Sequence, residues 1–328
     1  MDLRIRGDLP GALEQFQRAA EIDPALPHLH REIGLILIEQ RAFQAAADEL
    51  RLAVRTDPSD FNSRYDLALS LANAGAFGEA RREARLLARK KPQWSGAYYG
   101  LGHIDALSGD KEGATEAFRV AVDLDPNAWR AWFELGRLLQ DSGDREGAIQ
   151  AFKGAVRAKP DAPAARYRLA VLLKDSGKTE SATKEFAAAR ALQEKRTKGE
   201  QAATAYRQGM ERLAKEDYAG AVAELQRAAG LRPDFTEIRA QLKEAHEQWG
   251  LKLEQTGQIF GAIEHYRDAT GIESSAETQN HLGVLQARMG QIEASIESFR
   301  AALALDPEFQ NARKNLNQAL AIKEGQPH

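Results

Sequence analysis

The sequence contains no cysteine. That removes disulfides, thiolate nucleophiles and cysteine-ligated metals together, while leaving the redox compartment open. Long apolar runs are also missing. The longest, around Ile33 to Ile38, falls far short of the roughly 20 residues that a membrane-spanning helix needs. The first residues, MDLRIRGDLPGAL, hold no apolar stretch like that of a signal peptide. No transmembrane segment is therefore expected, and a cytoplasmic protein is the default. An exported or periplasmic protein is expected instead if a leader precedes Met1. Nor is there an excess charge of one sign: the formal net charge is −3 at pH 7. A general nucleic-acid binder needs a dense Lys/Arg surface to neutralise phosphates, so no nucleic-acid partner is expected.

Motifs that carry chemistry are equally scarce. No G-x-S-x-G nucleophile turn and no G-x-x-x-x-G-K-[ST] phosphate loop occurs. Gly100-Leu101-Gly102 superficially resembles a dinucleotide turn, but Asp105 stands where the third glycine belongs. His28 and His30 have no third ligand nearby, and H-E-x-x-H is absent. The acidic turn of Asp141, Asp144 and Glu146 is explained by helix capping and by the acidic preference of a first helical turn. No catalytic residue, metal or cofactor is expected, and the chain reads as a non-enzyme.

Proline is present in only 11 copies, but it is placed with regularity. Pro24, Pro58, Pro92, Pro126 and Pro160 stand 34 residues apart. Aligning on them brings Ala46, Ala80, Ala114, Ala148 and Ala182 to one place and Leu67, Leu101, Leu135 and Leu169 to another, with Ile33 as the variant. Gly34, Gly102 and Gly136 share the next place, and Phe118, Phe152 and Phe186 recur at the same interval. Within 129–162, Trp132, Leu135, Gly136 and Leu139 are spaced as one face of a helix. Gly143 can end that helix in the left-handed conformation, and Asp144 can cap the next. Ala148, Phe152 and Ala155 line the second helix, until Pro160 stops it. Gly136 and Ala148 must be small so that two helix backbones can approach, and Phe152 fills the space beside them.

These residues resemble the tetratricopeptide repeat family, whose signature is a 34-residue helix–turn–helix period. The resemblance implies an all-α, right-handed superhelical solenoid of helix hairpins, about eight full units with a half unit at each end. The units begin near Pro27, Phe61, Ser95, Trp129, Pro163, Ala202, Lys243 and Ala276. The fifth lacks its proline, and the charged stretch EKRTKGEQ (194–201) follows it. A second helix lengthened by more than a turn, with Gly199 as its break, is expected there. A second insertion predicts a long first helix from about 235 to 256.

Two sub-arrays result: 1–194, with a half unit and five units, and 202–323, with three units and a capping helix. A charged helical connection at 195–201 joins them stiffly, and a disordered tail covers 324–328. At the start, Leu3, Gly7, Ala12, Phe16, Ala19 and Pro24 fit the second half of a unit. Its first helix is mostly absent, so residues upstream of Met1 are expected to be missing.

A solenoid presents one helix of every pair on its concave side. The second, fifth, ninth and twelfth places of a unit share one face of the first helix. The fifth place is aromatic in Tyr65, Tyr99, Phe133, Tyr167 and Tyr206. A ladder of rings with polar tips suits an extended peptide or a helix. The resemblance implies a competing role, because tyrosine is common at this place in the family and part of its ring packs on the neighbouring unit. Asn62, His103, Arg130, Arg137, Arg168 and Lys174 lie around the ladder, where arginine can meet a partner's carboxylates, while Glu134 and Asp66 dilute the charge. Some family members hold chaperone C-termini in a Lys/Asn/Arg clamp. Here the corresponding places hold Arg31, Leu35, Asp66, Gly96 and Gly100, so that clamp is not formed in the first three full units.

The expected function is a protein–protein interaction scaffold that binds a peptide or helix of a partner in its groove. The alternative is the recruitment part of a longer enzyme or of a membrane-attached or exported protein. Self-association through the unsealed N-terminal half unit is a third expectation.

Overall fold

The computed structural model describes residues 9–23 and 28–325. Leu3, Gly7, Pro24 and the unit start at Pro27 lie outside them, as do residues 326–328 of the expected tail. Among the described residues there are seventeen α-helices and no strand. None of these helices is long and apolar enough to cross a membrane. The chain divides into two units, Met1–Leu192 and Gln193–His328.

The first unit opens with α1 (Leu9–Ile22), whose Ala12 is buried and which packs on α2 (Leu29–Glu39). Hairpins follow: α2 with α3 (Phe43–Thr56), α4 (Phe61–Asn73) with α5 (Phe77–Lys90), α6 (Ser95–Leu107) with α7 (Lys111–Leu124), and α8 (Trp129–Asp141) with α9 (Arg145–Ala158). Each hairpin packs on the next, and the last joins α10 (Pro163–Asp175). The final pair is α10 with the start of α11 (Thr179–Ala214), joined by Arg166–Glu185 at 2.7 Å.

The turns follow from the residues. Gly143 has φ +84° and closes α8, as expected of a left-handed C-terminal residue, and Asp144 accepts from the Gly147 N–H at 2.9 Å to cap α9. Asp110 and Asp217 cap their helices through Gly113 and Gly220 in the same way. Arg41 and Glu216 adopt the left-handed conformation that glycine takes in the other such turns.

A glycine latch closes six of the hairpins. Phe118, Phe152 and Phe299 are fully buried, and each lies against a glycine sixteen residues before it. A Cβ on Gly136 would fall 2.9 Å from the Phe152 ring, so only glycine lets the ring lie flat on the facing helix. Gly34–Leu50, Gly209–Leu225 and Gly250–Tyr266 repeat the arrangement with other side chains. The periodic prolines take part in a second device. The carbonyl oxygens of Pro126, Pro160 and Pro307 accept from Trp132, Arg166 and Arg313, each six residues on in the first helix of the next unit. Proline stops one helix, and its free carbonyl anchors the next.

The expected break at Gly199 does not occur. Helix α11 runs unbroken through 36 residues, joining the second helix of the fifth repeat to the first helix of the sixth. A single glycine costs a helix only about 1 kcal/mol relative to alanine. No proline interrupts the stretch, and Arg196 pairs with Glu200 one turn on.

The second unit contains the rest of α11, then α12 (Tyr218–Leu231), α13 (Thr236–Gln255), α14 (Ile259–Ile272), α15 (Ala276–Arg288), α16 (Ile292–Leu305) and α17 (Gln310–Lys323). Helix α13 is the expected long helix, 20 residues in length. Helix α17 buries Ala312 and Ala319 and exposes Asn311, Arg313 and Lys314.

Candidate partner-binding surface

The first helices α4, α6, α8 and α10 each carry one ring of the predicted ladder, in Tyr65, Tyr99, Phe133 and Tyr167. Three of the rings meet the second helix of their own hairpin. Tyr99 lies 5.8 Å from Phe118, Phe133 lies 5.7 Å from Phe152, and Tyr167 lies 5.5 Å from Phe186. The last two approach edge to face, a favoured aromatic geometry. The unit of Tyr65 has Ala84 where the others have phenylalanine, and Tyr65 turns instead to Trp94 at 5.6 Å and to Gly100. A Cβ on Gly100 would stand 2.8 Å from the Tyr65 ring, so Gly100 is a seat for that ring and not part of a nucleotide turn. Tyr65, Tyr99 and Phe133 are thus half-buried packing groups as well as surface groups, while Tyr167 is 57% exposed.

The polar groups gather between these rings. Burial pushes the Tyr65 hydroxyl up to about 12, helped by Tyr99 and Asp66. Burial raises Tyr99 too, helped by Glu134. The charge of Arg130 opposes both shifts, which places it within electrostatic reach of the two hydroxyls. Both phenols stay protonated at neutral pH and can donate a hydrogen bond. His103 stacks on Tyr99 with centroids 6.3 Å apart, and burial lowers its pKa against the pull of Glu134. Glu134 is in turn paired with Arg137 at 3.0 Å. Tyr65, Tyr99, His103, Arg130 and Arg137 therefore form one neighbourhood with Glu134 among them.

Further along, the Arg168 guanidinium lies 5.8 Å from the Phe133 ring centre and donates to Gln140 at 3.3 Å. Lys174 is exposed near the end of α10. Asn62 is exposed at the start of α4, beside a depression of about 360 Å³ that Phe61, Lys91 and Trp94 also line. Tyr206 belongs to the second unit, where its hydroxyl lies 3.4 Å from Glu237.

The excluded motifs have structural explanations. His30 Nδ1 pairs with Glu49 at 2.8 Å, and His28 Nδ1 lies 4.0 Å from Asp60, so the two histidines point to separate carboxylates. Arg31, in the place of a clamp residue, is held by Asp66 at 3.1 Å. Reading the sequence alone missed the role of Trp94 and Gly100 as the bed of Tyr65. The signal was available in the missing phenylalanine at Ala84.

Tetratricopeptide repeat profiles match residues 2–61, 65–128 and 101–163, residues 139–205, and residues 276–309. Among solved structures, a fragment of MamA from Desulfovibrio magneticus RS-1 is 21% identical, with a TM-score of 0.44 over 52% of this chain and 96% of that one. YrrB, described as a TPR protein with an unusual peptide-binding site, is 20% identical, with a TM-score of 0.41 over 55% of this chain and 93% of that one. The Cut9–Hcn1 hetero-tetramer of the APC/C is 16% identical, with a TM-score of 0.37 over 95% of this chain and 59% of that one. No curated protein matches the sequence significantly.

Proposed function

The chain belongs to the tetratricopeptide repeat family, a family of protein-interaction modules, and from that premise we propose that the first-helix face of residues 61–175 grips a peptide segment or helix of a partner protein. The observation that carries this reading is the row Tyr65, Tyr99, Phe133 and Tyr167, one ring per repeat. It ends on a ring that is 57% exposed although Phe186 lies beneath it. Large exposed aromatics anchor interfaces, because they bury much area with few rotatable bonds. Arg130, Arg168 and Lys174 flank the row, and the neutral hydroxyls of Tyr65 and Tyr99 add donors, so a segment bearing carboxylates fits best. Binding is groove docking onto helices that are already formed. In this reading the chain performs no catalytic step, and residues 202–323 form a second sub-array in which Tyr206 is the candidate anchor.

A peptide-display selection against the intact chain tests the reading. Acidic peptides with apolar anchors are expected to emerge. Tyr167→Ala combined with Arg168→Ala should weaken the selected peptide at least about tenfold, in line with the loss of an anchor at an interface, while the melting curve barely moves. Peptides that bind the double variant as well as the parent would overturn the assignment. Tyr99→Ala and Phe133→Ala should lower the melting temperature as well, because those rings pack on Phe118 and Phe152 and are half-buried, whereas Tyr167 is 57% exposed above Phe186.

A further inference from the structure

We propose that His246, His265 and Asp268 form a site for one divalent transition-metal ion of the zinc class, clamping the hairpin of α13 and α14. His246 lies on α13, and His265 and Asp268 lie one turn apart on α14. In this hairpin the two histidines occupy a recurrent position, because residues nineteen apart face each other across a repeat. Elsewhere that position holds complementary partners, as in His30–Glu49, Arg64–Glu83 and Arg166–Glu185. Here two imidazoles meet instead, and their Nδ1 atoms stand 3.1 Å apart.

The third donor completes a triangle. Asp268 Oδ2 is 3.6 Å from the His246 Nδ1 and 3.9 Å from the His265 Nδ1. A circle through three points with these separations has a radius of about 2.1 Å, within the zinc–nitrogen and zinc–carboxylate range of roughly 2.0–2.2 Å. A point at the centre of that circle lies at bonding distance from all three donors.

The surroundings suit such an ion. The His246 side chain is 3% exposed, and His265 is stacked on Trp249 at 3.8 Å, so both rings are held by packing. Asp268 is more than half exposed, which gives an entry path and leaves a fourth position to solvent. Two imidazoles and one carboxylate favour zinc, cobalt, nickel or copper over magnesium or calcium. A plain hydrogen bond between the imidazoles, one N–H donating to the other nitrogen, is the competing account.

Co²⁺ titration of the full, untagged chain, followed by visible absorption and then by Zn²⁺ displacement, decides between them. One Co²⁺ per chain should give the intense bands of a four-coordinate ion, Zn²⁺ should remove them, and Zn²⁺ should raise the melting temperature. His265→Gln and Asp268→Asn should each weaken Co²⁺ binding by about tenfold or more and abolish the Zn²⁺-dependent rise. Asp268 is exposed, so Asp268→Asn should melt like the metal-free parent and stay informative. No saturable absorption at equimolar metal would overturn the proposal. So would equal binding by both variants, which would place the ion on another residue such as His281.

Discussion

Phe152→Ala is expected to lower the free energy of unfolding by about 3–5 kcal/mol, the usual range for deleting a buried phenylalanine ring. The ring has no solvent exposure, lies against Gly136, and meets Phe133 edge to face at 5.7 Å. Its neighbours cannot collapse into the space, because Gly136 offers no side chain and the core around it is shared with the repeats on either side. Stability in a repeat array is a sum of unit and interface terms, so the loss should appear as earlier unfolding of the first unit. Chemical denaturation followed by circular dichroism measures it. A change below about 1 kcal/mol, the scale of an ordinary single substitution, would mean that the latch between phenylalanine and glycine does not hold the hairpin.

The second large effect is expected at Arg81. Its Nε donates to Asp105 at 2.5 Å, and its Nη2 donates to Ser108 at 2.9 Å and to Asp110 at 3.3 Å. One guanidinium therefore ties α5 to the end of α6 and to the residue that caps α7. Asp105 is only 4% exposed. Arg81→Ala leaves that carboxylate buried without its cation, a change that costs roughly 3–5 kcal/mol for a fully buried pair. Arg81 itself is 28% exposed, so about 2–3 kcal/mol is the expected loss after allowing for solvent. Arg81→Met combined with Asp105→Leu should restore most of it, since no uncompensated charge remains. A double variant no better than Arg81→Ala would show that the loss comes from packing and not from the stranded carboxylate.

The hairpins were readable in the sequence because their determinants are local and repeat. Gly143 and Asp144 act within a few residues of each other, and the period multiplies their signal. Helix α11 shows the limit of such reading: Gly199 was given the weight of a break, yet a good helical context on both sides outweighs one glycine. The ladder was readable as a row but not as a set of contacts. What each ring meets depends on residues far along the chain: phenylalanine nineteen residues on for Tyr99, Phe133 and Tyr167, but Trp94 and Gly100 of the next repeat for Tyr65. The meeting of His246 and His265 was invisible for the same reason. It depends on the register of two helices, and no short motif links the residues.

Site-specific photocrosslinking tests the central claim most directly. A photoreactive phenylalanine analogue is placed at the position of Tyr167 on α10, or at Lys153, an exposed position of the second helix α9. Each chain is then irradiated with the selected peptide. Crosslinks from the Tyr167 position, and none from the Lys153 position, are the predicted result. Efficient crosslinking from Lys153 with none from Tyr167 would place the partner on the opposite helices and contradict the account.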